Sequence, residues 1–254
     1  MKDFLIGAPL ATSLQGGTTN AGQVYVLYGQ QNTTAAMGIW GSDFNLSTLI
    51  SSPLLGRVID GVAFNSYLGW SVSTAGDFNA DGLSDVLIGA PYWNSNQGKA
   101  FVVFGKAKSQ AITPLFLNNL SSNTAIEFVG ESTVNFFGQT LSSGDWNSDG
   151  FVDLLIGAYG YSSNTGATYM IFGHNGTWVI STNASGVGTN VSGVKFIGDP
   201  GSYNGFSVSN GGDVNADSID DHHWWLEFKH RKSICCVWTA TQQLKKTLQM
   251  KSRR

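Results

Sequence analysis

The chain is poor in cysteine, in charged residues and in long apolar runs, and each shortage narrows the possible classes of protein. Its only cysteines, Cys235 and Cys236, are adjacent, so residues 1–234 cannot form a disulfide scaffold. Charged residues make up 12% of the chain, about half the usual share. No apolar run approaches the roughly 20 residues of a transmembrane helix, and the run after Met1 is too short for a signal peptide.

The charges that are present divide the chain into two parts. Up to Asp221 there are 16 acidic and 6 basic residues, and from His222 onward there are 1 acidic and 8 basic residues. An acidic polypeptide repels nucleic acid and attracts cations, so we expect no nucleic-acid partner. The acidic part is rich in glycine and aromatic residues and lacks sustained helical periodicity, which indicates short strands and tight turns.

A nine-residue pattern rich in aspartate occurs three times, at an interval of 68 residues, over residues 77–85, 145–153 and 213–221. Every copy has aspartate at positions 1, 5 and 9 and asparagine at position 3. Calcium takes six to eight oxygen ligands, and alternate side chains plus a backbone carbonyl at position 7 can converge on it. The pattern therefore predicts three calcium-binding loops.

A turn without a metal is the alternative interpretation, because aspartate, asparagine and glycine are common turn residues. Turn chemistry alone does not require aspartate at the same three positions in every copy, so the repetition favours a cation. Gly82 and Gly150 at position 6 suit a positive φ, whereas Ser218 stands there in the third loop and weakens it. The glutamate at position 12 of a helix-loop-helix calcium site is absent, which indicates β-turn loops.

Two further runs accompany each loop and complete a repeat. The first is apolar and contains Gly-Ala, as in Val86–Pro91, Leu154–Tyr159 and Phe4–Pro9, and the second lies between two glycines, as in Gly98–Gly105 and Gly166–Gly173. With one strand before the loop and one after a variable polar segment, each repeat supplies four short strands. A four-stranded unit longer than 40 residues predicts a propeller blade, with the Gly-Ala glycine at a crowded approach of neighbouring blades.

The combination of Phe137-Gly138, Gly89-Ala90-Pro91 and the aspartate-rich loops resembles the FG-GAP repeat family, although Tyr159 replaces the usual proline in one copy. This resemblance implies an all-β fold, namely a partial β-propeller with about three and a half four-stranded blades of an expected seven, as in integrin alpha subunits. It also implies Ca²⁺ as the cofactor. The ligands that the resemblance implies are Asp77, Asn79, Asp81, Leu83, Asp85, Asp145, Asn147, Asp149, Phe151, Asp153, Asp213, Asn215, Asp217, Ile219 and Asp221, with Leu83, Phe151 and Ile219 acting through their carbonyl groups.

The repeats set the predicted boundaries. We expect FG-GAP repeats over residues 3–221, divided into a truncated first repeat (3–66), a second (67–134), a third (135–202) and the start of a fourth (203–221). An open ring exposes strand edges and blade faces. We therefore expect that further blades or self-association are needed to close the propeller.

The basic tail does not continue the pattern. Trp224-Trp225 stands where the Gly-Ala run belongs, and its TGG codons read as Gly-Gly in a frame displaced by one base. With permitted synonymous codons, the displaced frame from Asp221 to Trp238 reads IIIGGLNSNTGKAYVVFG, which restores the missing strands. We therefore predict that residues 222–254 come from a frameshift, in preference to a membrane-binding or nucleic-acid-binding segment or a His/Cys metal site.

The function expected from this resemblance is calcium-dependent adhesion, or recognition of a protein or glycan ligand, outside the cell or at its surface. The alternative is the propeller part of a secreted hydrolase similar to glycosylphosphatidylinositol-specific phospholipase D. We expect no catalysis, because residues 1–221 contain one histidine, His174, and neither a cysteine nor a nucleophile elbow. Glycosylation is permitted by the sequons at Asn32, Asn45, Asn119, Asn175, Asn183 and Asn190.

Overall fold

The computed structural model describes residues 3–29, 43–52, 54–107, 114–118, 120–212 and 221–225. Within these ranges most of the regular secondary structure is β-strand, joined by turns and irregular segments, with two 3₁₀ turns (Leu46–Ile50 and Ala184–Gly186) and two short helical turns (Trp93–Asn96 and Tyr161–Asn164). The strands are β1 (Phe4–Ala8), β2 (Gln23–Leu27), β3 (Gly56–Asp60), β4 (Ser71–Gly76), β5 (Asp85–Ala90), β6 (Lys99–Val103), β7 (Leu115–Phe116), β8 (Ala125–Val129), β9 (Leu141–Gly144), β10 (Asp153–Ala158), β11 (Ala167–Ile171), β12 (Ser181–Asn183), β13 (Gly193–Ile197), β14 (Ser207–Gly212) and β15 (Asp221–Trp225).

The strands form blades in chain order, as the sequence predicts. The second blade has the antiparallel order β8-β6-β5-β4, and the third blade has the order β13-β11-β10-β9. The first blade contributes β1, β2 and β3, and β14 with β15 begins a fourth. The predicted fold, a partial β-propeller of four-stranded blades, is therefore confirmed.

Alternate residues of the central strands pack against opposite neighbours. On β5, Leu87 and Ile88 are both fully buried, but Leu87 lies in a cluster with Ile156 of the third blade and Ile88 in one with Ile59 of the first. Successive side chains of a strand point to opposite faces, so a blade covered on both sides needs an unbroken apolar strand. This explains why the Gly-Ala runs are apolar without alternation.

The family glycines lie where neighbouring blades approach most closely. A Cβ atom on Gly89 would lie 2.0 Å from the carbonyl oxygen of Gly138 in the next blade, and one on Gly7 equally close to that of Gly69. The amide of Gly69 in turn donates to the Gly89 carbonyl at 2.9 Å, which ties the first strand to the second within the blade. The predicted crowding at the Gly-Ala glycine is confirmed, and it is backbone against backbone.

Two short strands add a contact that the sequence pattern does not predict. β7 and β12 lie in the variable segments between the third and fourth strands of their own blades, yet each pairs in parallel with the outer strand of the preceding blade. β7 joins β3 of the first blade, and β12 joins β8 of the second. Each variable segment therefore connects its own blade to the preceding blade through backbone hydrogen bonds.

The last described strand keeps the register of the earlier blades. Asp221 pairs with Gly212 in the way that Asp85 pairs with Gly76. Ser207 pairs with Trp225, which therefore occupies the position of Gly89. The frameshift hypothesis concerns residues 222–254, of which 226–254 lie outside the described residues, and it stays a prediction. Across the described part of the chain, no helix has the length and apolar character to cross a membrane.

Candidate metal-binding loops and the aromatic face

The first predicted calcium loop joins β4 to β5 and is wrapped around its own aspartates. The carboxylate of Asp77 accepts the backbone N–H groups of Asp81 and Gly82, both at 2.9 Å. Asn79 Oδ1 also accepts from the Asp81 amide at 3.1 Å, and Asp81 Oδ1 accepts from the Leu83 amide at 2.9 Å. These side chain to backbone bonds curl the loop tightly, as short polar side chains do in turns.

The second loop, between β9 and β10, repeats this network atom for atom. Asp145 accepts from the amides of Asp149 at 3.1 Å and Gly150 at 2.9 Å, and Asp149 Oδ1 accepts from that of Phe151 at 2.9 Å. Asn147 fills the role of Asn79. Gly82 and Gly150 have φ of 85° and 86°, so the predicted positive φ at position 6 is confirmed in both loops.

The aspartate at position 9 has a different environment from the others. Asp85 is 2% exposed, and its two oxygens accept the amides of Phe78 at 2.9 Å and Gly105 at 2.7 Å. Asp153 makes the same pair of bonds to Trp146 and Gly173. Burial raises the pKa of each carboxyl to about 6, against the lowering effect of these bonds. Position 9 therefore anchors the loop to the end of the third strand.

The donor set of the two described loops suits a hard divalent cation. Carboxylate and amide oxygens are concentrated in nine residues, and the salt bridges Lys99–Glu127 and Lys195–Glu131 lie elsewhere. Within the described ranges, however, no three acidic, histidine or cysteine side chains come together as a metal site. Asp213, Asn215, Asp217 and Ile219 of the third loop lie outside the described residues, and Asp221 begins β15.

The aromatic residue at position 2 anchors each of the two described loops, a role that the sequence pattern does not predict. Phe78 is 1% exposed and stacks on Trp178 of the third blade with ring centres 4.5 Å apart. Trp178 stacks in turn on His174 at 4.0 Å. In the second loop Trp146 packs into a buried cluster with Val208 of the fourth blade. Each loop is therefore pinned to the following blade.

Aromatic side chains line the opposite end of the blades, where the links between blades and the turns between second and third strands lie. Tyr92 contacts Tyr67, Trp70 and Phe136 with ring centres 4.9, 5.0 and 5.6 Å away. The series continues across the blades from Phe136 to Tyr159 at 4.6 Å. We call this series the aromatic ladder, and its members are Tyr67, Trp70, Tyr92, Phe136, Tyr159, Tyr203 and Phe206.

The aromatic residues of the two turns that follow β5 and β10 have two different environments. Tyr92 and Tyr159 belong to the ladder, whereas Trp93 and Tyr161 lie under lysine side chains. The turns themselves are unusual. Asn94, Ser95 and Asn96 have φ of 50°, 56° and 62°, a left-handed turn that is repeated at residues 162–164.

Consecutive antiparallel blades, paired aspartate loops and interblade glycines define the class of protein, a partial β-propeller built from FG-GAP blades. A family model described as FG-GAP repeat matches residues 68–103 and 137–169, which fall in the second and third blades. The chain contains FG-GAP repeats, and they are of the type found in integrin alpha chains.

Several curated relatives are integrin alpha chains. Human (Homo sapiens) integrin alpha-7 is 31% identical over 165 residues, or 63% of this chain and 12% of the relative. Integrin alpha-6 of Gallus gallus is 29% identical over 164 residues, which cover 63% of this chain and 13% of the relative. Integrin alpha-X of Mus musculus is 38% identical over 93 residues, which cover 36% and 7%. The chain thus spans about an eighth of the length of these integrin alpha-7 and alpha-6 chains.

Proposed function

We propose that this chain is a calcium-binding propeller segment that recognises a protein ligand in adhesion, outside the cell or at its surface. The aromatic ladder is the observation that carries this proposal. It runs along the end of the blades opposite to the aspartate loops, so ligand contact and cation binding occupy different ends. The similarity to integrin alpha chains supports a binding role rather than a catalytic one.

The ladder has the chemistry of a protein-binding surface. Trp70 and Phe206 at its two ends are each 42% exposed, although both are large apolar side chains. Between them the rings meet edge to face or stacked, which holds each ring rigid before a partner arrives. Rigid aromatic side chains bury much area at little cost in side-chain entropy, and such residues dominate binding hot spots.

Calcium would be held at the other end of the blades. The residues that would bind it are Asp77, Asn79, Asp81, Asp85 and the Leu83 carbonyl, and their counterparts Asp145, Asn147, Asp149, Asp153 and the Phe151 carbonyl. A bound cation would neutralise acidic groups that have no salt-bridge partner among the described residues and would stiffen both loops. Since Phe78 and Trp146 pin the loops to following blades, stiff loops would also hold the blades in place.

The ladder is tested by binding. Purified full-length chain is presented to a panel of immobilised extracellular-matrix proteins in calcium, and the chain carrying both Trp70→Ser and Phe206→Ser is compared with it. We expect at least a tenfold loss of affinity for the double variant, because removing two hot-spot residues typically costs several kcal/mol. Val179→Ser, which removes a side chain 68% exposed outside the ladder, is the control. Equal binding by all three proteins would refute the role of the ladder.

The cation is tested separately by calorimetric titration and thermal melting with calcium or with a chelator. At a calcium concentration of about 100 times Kd, one site adds about 2.7 kcal/mol to the free energy of unfolding. We expect Asp77→Asn and Asp145→Asn each to remove part of the calcium-dependent rise in melting temperature. Asp199→Asn, an exposed aspartate outside the loops, is the control. Absence of both heat and stabilisation in the parent chain would contradict calcium binding.

A further inference from the structure

Two clefts between blades differ in what fills them. The first cleft, between the first and second blades, is lined by Val62 of the link between them and by Lys99 and Glu127 of the second blade. The second cleft, between the second and third blades, contains Glu131 of the corresponding link and Lys195 of the third blade. Val62 and Glu131 occupy equivalent positions in the two links. Each follows a glycine, and the amide of that glycine donates to the carbonyl of the glycine that precedes the third strand of its blade.

The second cleft is bridged by the side chain of its link. Glu131 Oε1 accepts from Lys195 Nζ at 2.8 Å and from the Tyr169 hydroxyl at 3.0 Å. Lys195 Nζ also lies 4.7 Å from the ring centre of Tyr161 and donates to its hydroxyl at 3.3 Å. The link therefore supplies a carboxylate that accepts hydrogen bonds from two polar groups of the third blade, the Lys195 ammonium and the Tyr169 hydroxyl.

An ammonium group lies at the same place in both clefts although it comes from different strands. Lys99 Nζ is 3.9 Å from the ring centre of Trp93 and 5.9 Å from that of Phe101. These rings correspond to Tyr161 and Tyr169, which flank Lys195 in the second cleft. Lys99 begins β6, whereas Lys195 lies on the outer strand β13. In the first cleft Glu127, on the outer strand, supplies the carboxylate at 2.7 Å.

The second blade supplies both charges of the first cleft, and the link that lines this cleft contributes no charged side chain. Val62 has no polar group with which to reach Lys99, and a cavity of about 380 Å³ remains. Its lining combines the apolar side chains of Leu68, Phe101 and Leu117 with polar side chains such as Ser66 and Asn118. Small-molecule and side-chain pockets in proteins have volumes from about 300 Å³ upward, with a few polar groups on an apolar lining.

The charges in the cavity decide what class of ligand it suits. Lys99 and Glu127 are 13% and 12% exposed and neutralise each other, so a charged ligand would be desolvated without a net countercharge. The pair still has unused hydrogen-bonding capacity. An ammonium has three N–H donors and a carboxylate about four acceptor sites, and the described bonds are Lys99 to Glu127 and Ser181 to Glu127. A neutral group with one donor and one acceptor can donate a hydrogen bond to the Glu127 carboxylate and accept one from the Lys99 ammonium.

We propose that the first cleft binds an uncharged peptide segment, which places an apolar side chain in the cavity and pairs one backbone amide with Lys99 and Glu127. The amide N–H donates to the Glu127 carboxylate, and its carbonyl accepts from Lys99. This inference rests on the proposed function, since the segment belongs to a protein ligand. Its site is separate from the aromatic ladder, because no ladder residue lines the cavity.

Three leucine derivatives of similar size and different charge test the inference on the full-length chain. They are N-acetyl-leucine N-methylamide, which is neutral, N-acetyl-leucine, which is an anion, and leucine N-methylamide, which is a cation. The readout is the NMR signal of the Trp93 indole N–H, identified with the Trp93→Phe variant. We expect the neutral probe to shift this signal with a Kd of about 1 mM, typical for a ligand of its size, and the charged probes to bind at least about tenfold more weakly.

A designed variant provides the matched control. Val62→Glu, Lys99→Ala and Glu127→Lys together give the first cleft the residues of the second, in which Glu131, Ala167 and Lys195 hold these positions. We expect this triple variant to keep its melting temperature and to lose the shift, and Val62→Phe alone to lose the shift by filling the cavity. No saturable shift with the neutral probe, or a stronger one with the anion, would overturn the inference. Neither outcome depends on calcium or the ladder, so failure here is distinguishable from failure of the proposed function.

Discussion

The two clefts between blades share their backbone contacts and differ in their side chains. In both, a glycine of one blade lies against a glycine carbonyl of the next, at Gly7 and Gly69 in the first cleft and at Gly89 and Gly138 in the second. Outside this contact, Glu131 and Lys195 form a hydrogen-bonded ion pair across the second cleft, whereas the first cleft has a cavity beside Lys99.

The difference shows how a repeat can keep its architecture while its surface changes. Backbone packing at the glycines tolerates no side chain, so it sets the spacing of the blades. The charged residues lie outside that contact, where an acid can come from the link or from the blade itself without moving a strand. One blade interface can therefore be sealed and the next left open for a ligand.

The strongest test of the shared contact is Gly89→Ala. The new Cβ would lie 2.0 Å from a backbone oxygen, which cannot rotate away, so the blades must separate. We expect a loss of about 3 kcal/mol or more in the free energy of unfolding, measured by urea denaturation. Gly201→Ala adds a methyl group at φ 75° with open space around it and should cost about 1 kcal/mol. Equal losses would show that the glycine contact does not set blade spacing.

The difference between the clefts is tested by Glu131→Val, which gives the second link the type of residue found in the first. Burial and the neighbouring Glu131 carboxylate raise the pKa of Tyr169, so its hydroxyl stays protonated and donates to Glu131. The valine leaves this hydroxyl and the Lys195 ammonium without that acceptor. We expect a loss of about 1–3 kcal/mol by urea denaturation. Glu131→Gln keeps an acceptor and should lose less, and a valine variant as stable as the parent would show that the seal contributes nothing.

The smallest expected effect comes from Ser71→Ala, which removes a side chain to backbone bond across the second cleft. Ser71 Oγ donates to the Gly138 carbonyl at 2.7 Å, and Thr140 makes the equivalent bond to Gly205 one blade further on. We expect a loss of about 1 kcal/mol by urea denaturation. Ser73→Ala, on the same strand and without a side-chain bond in the described structure, is the control. A larger loss than for Glu131→Val would reverse the order of contributions proposed here.

The sequence predicted the features that depend on neighbouring residues. The four strands of each blade follow from short apolar runs bounded by glycine, and the loop glycines Gly82 and Gly150 have the positive φ expected of them. The crowding at Gly89 was also expected from its position in the repeat. The loops are held by hydrogen bonds between side chains and backbone within nine residues, so the local sequence determines their shape.

The features missed by the sequence depend on distant residues. The strands β7 and β12 are too short to give a pattern, and each forms because the outer strand of the preceding blade offers a free edge. The burial of Asp85 and its bond to Gly105 bring together residues 20 apart in the chain. The ligand geometry expected for calcium stays a prediction, since it depends on the cation itself.

By itself the sequence determined the repeat, its strands and its aspartate loops, because strand alternation, glycine flexibility and turn formation act over a few residues. Only the tertiary structure decided that aromatic side chains from three blades form one ladder and that one cleft is bridged by an ion pair while its neighbour has a cavity. The physical reason is that equivalent ammonium positions are reached from different strands, by Lys99 and Lys195. Spatial packing, rather than position in the repeat, therefore fixes which charges meet.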